Sequence, residues 1–386
     1  MPVEIKDFYS FFYSLSVIYW IAGIAVYIFY LFTKKKVPVF LGSSFAFIEV
    51  IIAVKAMFNG DLAYAQGGIV VAGLVYVLLS VIVGTVKIET LHKILPAQVV
   101  GPMIIVIGLG LVPVAWGMAS KHFLVAGITL IVALTVSKFG KGFSKKLGIL
   151  IGVLTGYAAA SLMGVLSVEA IEAVKDASII AVPSFTLPKF SIDAIIVIVP
   201  VVVAVFMEHL GDITTNGAVV GKDFIKDPGL KRTILGDGLA TVFAGLIGGP
   251  ANTTYGENTG VLAITKNYNP AILRLSAMFA IVLAFSGKVG GALKTVPEPV
   301  MGGISMMLFS MIALIGFKTI KKNDVKFNWK NAVIIATILI IGLSGKYFGS
   351  PIKVNVLNIV TLKQLSLAAV VGIALNAVLN IAFGEK

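Results

Sequence analysis

Apolar residues recur along this chain in long blocks, and polar residues gather in short stretches between them. Residues 15–33, 66–86, 98–118, 123–137, 147–165, 192–207, 332–344 and 364–383 are almost free of charge. A helix that crosses a bilayer needs about 20 apolar residues, and these blocks reach or approach that length. Backbone groups cannot go unpaired in lipid, and no ten-residue alternating pattern is present, so helices are the expected spanning element. The pattern predicts thirteen spans, over 12–33, 39–57, 66–88, 98–119, 122–139, 147–166, 192–217, 232–249, 250–266, 271–293, 299–317, 331–348 and 364–384.

Composition supports an all-α polytopic membrane protein. Hydrophobic residues make up 58% of the 386, charged residues 13%, and the mean hydropathy is +1.01; soluble proteins carry about 25% charged residues. The chain has no cysteine, which excludes disulfides and thiolate metal sites. His92, His122 and His209 are scattered, and no H-E-x-x-H or D-D-x-x-D cluster is present, which argues against a metal cofactor and an intramembrane enzyme. No cleavable signal peptide is evident.

The formal charge of +13 does not point to nucleic acid. Most of the basic residues fall in alternate loops: Lys34 to Lys36, Lys87 and Lys93, Lys138 to Lys146, Lys222 to Arg232, Lys266 and Arg274, and Lys318 to Lys330. Such loops mark the cytoplasmic side. The loop from Val168 to Phe190 belongs to the other set and carries Glu169, Glu172 and Asp176. The expected topology is multi-pass in the inner membrane, with a cytoplasmic C-terminus and an outside N-terminus.

Two short stretches suggest an internal repeat. Pro38 leads into VFLGSSFAF and Pro250 into ANTTYGEN, so that Ser43 to Phe47 fall on Thr253 to Glu257 at an offset of 210 residues. Segments 66–88, 122–139 and 147–166 follow the offset approximately, and 98–119 follows it less well. An odd number of spans per repeat inverts the second copy. The counterpart of 192–217 would precede Met1, so the reading is an inverted seven-plus-seven repeat whose first helix is missing.

The repeated stretches begin after Pro and hold Gly and hydroxyl residues before an apolar run, as short strands leading into broken helices would. Irregular backbone at membrane depth is tolerated where it lines a cavity, and half-helix N-termini there point their N–H groups inward. Three acids support a buried polar centre. Glu208 and Asp212 lie four residues apart on one helix face, and Glu257 lies in the second broken stretch. A mid-membrane Asp costs roughly 2.5–3.5 kcal/mol on insertion scales, so such acids are expected to face the interior. His209 points about 100° away from Glu208, leaving packing and functional roles open. For Asp237, capping, pairing with a cation and function also stay open. Glu49 is intramembrane and without an evident role. Asn252, Thr253 and Thr254 suit either a site or the satisfaction of broken backbone.

The run from Glu257 to Lys266 resembles the signature of the nucleobase/ascorbate transporter family, with Asn258, Gly260 and Thr265 at its marked positions. KKKVPVFLGSSFAF, MEHLGD, KDPGLKRTIL, PANTTYGENTGVLAITK and PEPVMGGISMMLF resemble further blocks of the family in order, most closely those of its bacterial uracil–proton symporters. The resemblance implies a core domain (10–88 and 192–293) and a gate domain (89–191 and 294–386) that move against each other. It implies that Glu208, Glu257, Phe45, Tyr255 and Gly256 bind uracil, and that Glu208 with Asp212 couples protons rather than Na⁺. It also implies a homodimer through the gate domains. A xanthine or broader nucleobase carrier is the alternative, because Asp212 stands where uracil symporters often carry His. A truncated, non-transporting membrane protein is a further one.

Overall fold

The computed structural model describes residues 15–85, 96–322, 325–326, 328–356 and 360–383. Lys87, His92, Lys93, the first fourteen residues and Lys386 lie outside them. The chain is mostly helical. In order, it forms α1 (Leu15–Phe32), β1 (Leu41–Ser43), a 3-10 turn (Phe45–Phe47), α2 (Ile48–Met57), α3 (Ala63–Thr85), α4 (Ala97–Ala119), α5 (Phe123–Phe139), α6 (Gly148–Leu162) and α7 (Val168–Asp176). These are followed by α8 (Ile192–Ile198), α9 (Val201–Val220), α10 (Leu230–Ile247), β2 (Asn252–Thr254), α11 (Gly256–Thr265), α12 (Pro270–Ala284) and α13 (Gly287–Lys294). The last elements are α14 (Glu298–Lys322), α15 (Trp329–Tyr347), the strands β3 (Lys353–Val356) and β4 (Val360–Lys363), and α16 (Gln364–Phe383).

Within the described residues, each of the thirteen predicted stretches contains helix, preceded in two of them by a strand. By length and composition, seven of the described helical stretches suffice to cross a membrane, or eight if α12 and α13 count as one. That pair is bent by 86°, where a continuous helix was expected. The bend follows from Ser286, whose extended backbone stops α12 and whose hydroxyl accepts the Val289 N–H to start α13. Two elements escaped the hydropathy pattern. The segment after Val168 opens with α7, which packs on α13, and β3 pairs antiparallel with β4 between α15 and α16.

The succession α1–β1–α2–α3–α4–α5–α6 returns as α10–β2–α11–α12/α13–α14–α15–α16. β1 and β2 pair antiparallel, with Leu41 opposite Thr254, Gly42 opposite Thr253 and Ser43 opposite Asn252. Around them, α3 packs along α10, and α1 along both α10 and α12. A second group forms where α4 packs along α14 and α15, α5 meets α6 and α14, and α15 meets α16. The largest apolar cluster joins the two groups, with Phe47, Val50, Tyr76, Val205 and Phe206 on one side and Val99, Met103, Ile338 and Ala368 on the other.

Lipid gives helices no hydrophobic reason to associate, so small residues and close backbone approach carry the packing. A Cβ at Gly108 of α4 would stand 2.5 Å from the Ala313 nitrogen and 2.6 Å from the Phe309 carbonyl of α14. A Cβ at Gly73 of α3 would stand 2.6 Å from the Val242 nitrogen of α10.

The extended stretch after α7 is fixed to the first group at three points. Ala181 N–H donates to the Phe285 carbonyl, Thr186 N–H to Ile247, and Lys189 N–H to Ala63. The Lys189 ammonium also donates to Asp61 at 2.8 Å, and Phe185 sits edge-on to Trp20. The Lys189 hydrogen bond, with that from Ala63 N–H, holds the Asp61 carboxyl below its ordinary value; Asp61 in turn holds Lys189 above its own. A lowered acid stabilises above its ordinary value, about 3.9, and fails as pH falls through the lowered one. A raised lysine stabilises below about 10.4 and fails as pH rises through the raised value.

Two outcomes follow. Gly108→Val forces α4 from α14 and lowers stability by roughly 1–3 kcal/mol, read as a lower Tm in detergent. Gly127→Ala, where a Cβ meets nothing within 4 Å, leaves the Tm unchanged or higher; equal losses in both would contradict the close-approach argument. Hydrogen-exchange protection of residues 181–189, corrected for intrinsic rates, stays flat from about pH 5 to 9 and drops below about pH 4. Asp61→Asn lowers it across that range; protection insensitive to both would remove any role for the ion pair in holding this stretch.

Candidate functional site

The two broken segments meet backbone to backbone, and their polar groups are largely consumed by that meeting. Ser44 N–H donates to the Ala251 carbonyl at 2.8 Å, and Tyr255 N–H to the Phe40 carbonyl at 3.0 Å, extending the β1–β2 pair at both ends. The Asn252 amide donates to the Ala240 carbonyl, and its own N–H donates to the Thr241 hydroxyl. Asn216 of α9 donates to the Pro38 carbonyl at 2.9 Å and to the Thr259 hydroxyl at 3.0 Å, tying both segments to one helix. Buried backbone needs such partners, which is why the ANTTYGENTG stretch is polar.

Where the strands end, a cavity opens between the two helix groups. Its empty volume, open solvent at the mouth included, is about 740 Å³. One wall is polar: Glu208 of α9, Thr253 and Thr254 of β2, and Tyr255, with Phe45, Ala46 and Ala204 beside them. The opposite wall is aliphatic, from Ile104 and Ile107 of α4 and Leu308, Met311, Ile312 and Ile315 of α14. A site of this kind suits a small, flat molecule with polar edges and apolar faces.

Glu208, Phe45 and Tyr255 thus line one cavity. Phe45 is held edge-on by Phe309. The Tyr255 hydroxyl donates to the Ser43 carbonyl at 2.9 Å, and its ring lies over Gly42, where a Cβ would strike it. Asp212 is one turn along α9 and meets Thr254 of the polar wall. It accepts from the Thr254 hydroxyl at 3.0 Å and lies against Gly256, where a Cβ would stand 2.7 Å from its Oδ1. Gly256 therefore allows Asp212 to reach the start of α11. The Glu257 backbone lies in the first turn of α11, and its side chain lies outside the described part of the structure.

The signature residues shape α11. Asn258 N–H donates to the Tyr255 carbonyl. A Cβ on Gly260 would stand 2.6 Å from Lys146 Nζ, so the glycine receives that lysine from the α5–α6 connection. The Thr265 hydroxyl donates to the Val261 carbonyl, and α11 ends at Lys266 in the left-handed region.

The residues left open in the sequence divide clearly. His209 is fully buried, with Nδ1 3.2 Å from Asp237 Oδ2, so these two pair behind the cavity wall. Asn252 satisfies backbone and Thr254 serves Asp212, whereas the buried Thr253 hydroxyl has no hydrogen-bond partner among the described residues. Sequence reasoning missed the aliphatic wall, because Ile104 or Met311 looks like any other lipid-facing residue. The one signal in its favour was the glycines beside it, Gly108 and Gly110.

A model described as a permease family matches residues 12–348. The chain is 40% identical over 374 residues to a probable uracil permease of Haemophilus influenzae, covering 94% of this chain and 87% of the relative. It is 40% identical over 385 residues to the uracil permease of Bacillus subtilis, covering 95% and 86%. It is 36% identical over 371 residues to that of Escherichia coli, covering 93% and 83%. The transmembrane domain of a cyanobacterial bicarbonate transporter, BicA, shares the fold with a TM-score of 0.57 at 13% identity, covering 97% of this chain and 98% of that one. Similarity of this extent makes the chain a member of that permease family, the nucleobase/ascorbate transporters.

Proposed function

We propose that this protein imports uracil together with protons, by movement of a core domain (10–88 and 192–293) against a gate domain (89–191 and 294–386). The observation that carries the reading is the cavity itself. Its polar wall belongs entirely to the first domain, and most of its aliphatic wall to α4 and α14 of the second. A rocking motion of one against the other would expose such a cavity to alternate sides of the membrane. The uracil permeases to which the chain is similar support the substrate.

Uracil offers two N–H donors and two carbonyl acceptors on a flat ring. Glu208 and Glu257 would accept from the N–H groups. The Thr253 hydroxyl and the backbone N–H groups that follow the strands, at the starts of the 3-10 turn and α11, would donate to the carbonyls. Phe45 and the aliphatic wall would cover the ring. Glu208 would take the coupling proton, with Asp212 one turn away linking that event to Thr254 and the start of α11. Because Asp212 serves the strand and α11, its replacement of His does not by itself favour a purine. Thirteen crossings, a cytoplasmic C-terminus and a homodimer through the gate domains complete the proposal.

Proteoliposomes holding the full chain should accumulate labelled uracil when the outside is more acid, and Glu208→Gln should abolish that dependence; gradient-independent uptake would refute proton coupling. Thr253→Val, which keeps the shape and removes the hydroxyl, should weaken uracil binding about 5- to 10-fold, one lost hydrogen bond's worth. An unchanged Kd would take Thr253 out of the site. Excess xanthine should leave bound uracil in place; efficient displacement would point to a broader nucleobase carrier.

A further inference from the structure

Glu49 is a buried acid that the proposed transport site does not use. It stands in the first turn of α2, only 6% exposed, and neither carboxyl oxygen has a hydrogen-bond partner among the described residues. Its surroundings are apolar: Ile48, Leu111, Ala115 and Phe309 form a buried cluster there. The side chain points across the seam at α4, where a Cβ on Gly110 would stand 2.8 Å from Oε2. Gly110 therefore supplies the room that the carboxyl occupies.

The charges around it are few. The described parts of α3 and α4 carry none, α8 carries Asp193 at its start, and α14 carries its charges towards its ends. Lys55 lies further along α2 itself. Lys346 of α15 bears electrostatically on Glu49, yet no ion pair joins them among the described residues. An ionised carboxylate without donors or a paired cation is far more costly to bury than a neutral acid.

The position is as informative as the burial. Phe45, Ala46 and Ile107 line the cavity; Glu49 follows the first two by three or four residues, where the 3-10 turn has passed into α2, and Gly110 follows Ile107 by three residues on α4. The carboxyl thus sits where the proposed core and gate domains slide past each other.

We propose that Glu49 is a proton-binding site in its own right, separate from Glu208, which holds a proton while α2 is packed on α4 and yields it to water when that face opens. The role in transport rests on the domain movement proposed above; the proton site does not. An O–H bond forms on the carboxylate with a proton from water that reaches the open seam. On reopening, the same proton returns to water and leaves the carboxylate facing solvent and Lys346.

The test is infrared spectroscopy of the full chain in lipid at neutral pH, with no substrate and no gradient. The wild type should show the C=O stretch of a protonated carboxyl that E49Q lacks and E208Q retains. Identical wild-type and E49Q spectra, or a band lost only in E208Q, would overturn the proposal. G110A is the second variant: its methyl group presses on Oε2 and should shift the same band, so the test holds if E49Q fails to fold. A band unmoved in G110A counts against the proposal. Uptake measured alongside separates the two readings, since a Glu49 band in a chain that moves no uracil would sink the transport function and keep the proton site.

Discussion

The structure depends on one short contact, the antiparallel pairing of two three-residue strands inside an otherwise helical membrane protein. A strand in the hydrocarbon region exposes N–H and C=O groups that lipid cannot satisfy. Each broken segment is tolerable only because the other supplies its partners, and because Asn216, Thr241 and Asn252 take up the remainder. Two copies of the same irregular stretch, more than two hundred residues apart in the chain, thus make each other possible. Where the pairing stops, the backbone turns into the starts of α2 and α11, and the cavity begins.

This arrangement divides the chemistry between elements of different stiffness. The polar wall is built on the strands and on α9, whose positions are fixed by hydrogen bonds. The opposite wall is built on α4 and α14, whose cavity-lining residues are aliphatic. The glycines that hold α4 against α14 make the second group a unit, as those between α3 and α10 do for the first. Irregular, strongly bonded backbone and apolar helical surface thus meet at one cavity.

Much of this was legible in the sequence. The apolar blocks located the helices. The paired Pro-led stretches located the broken segments, because polar residues at membrane depth are too costly to keep unless they pair backbone or line a cavity. Glu208 was singled out for the same reason, whereas Phe45 and Tyr255 were named only through the family resemblance. Asp212 was read as a partner of Glu208, since the two share a face; that it turns towards Thr254 and Gly256 depends on where α11 starts, which spacing along one helix cannot give. The His209–Asp237 pair was hidden because it joins α9 to α10, and spacing along either helix does not give how the two meet. The aliphatic wall had no signature, since in a membrane protein an apolar residue beside lipid and one beside a ligand look alike. The bend between α12 and α13 and the helix α7 were missed because hydropathy averages over a serine or over an amphipathic face.

The most direct measurement is an experimental structure of the full chain with uracil bound. The account predicts the base between Glu208 and the ends of β1 and β2, with the aliphatic residues of α4 and α14 across its other side. Density for uracil elsewhere, such as the cleft at the end of α9 lined by Gly221 and Phe224, with the central cavity empty, would contradict it.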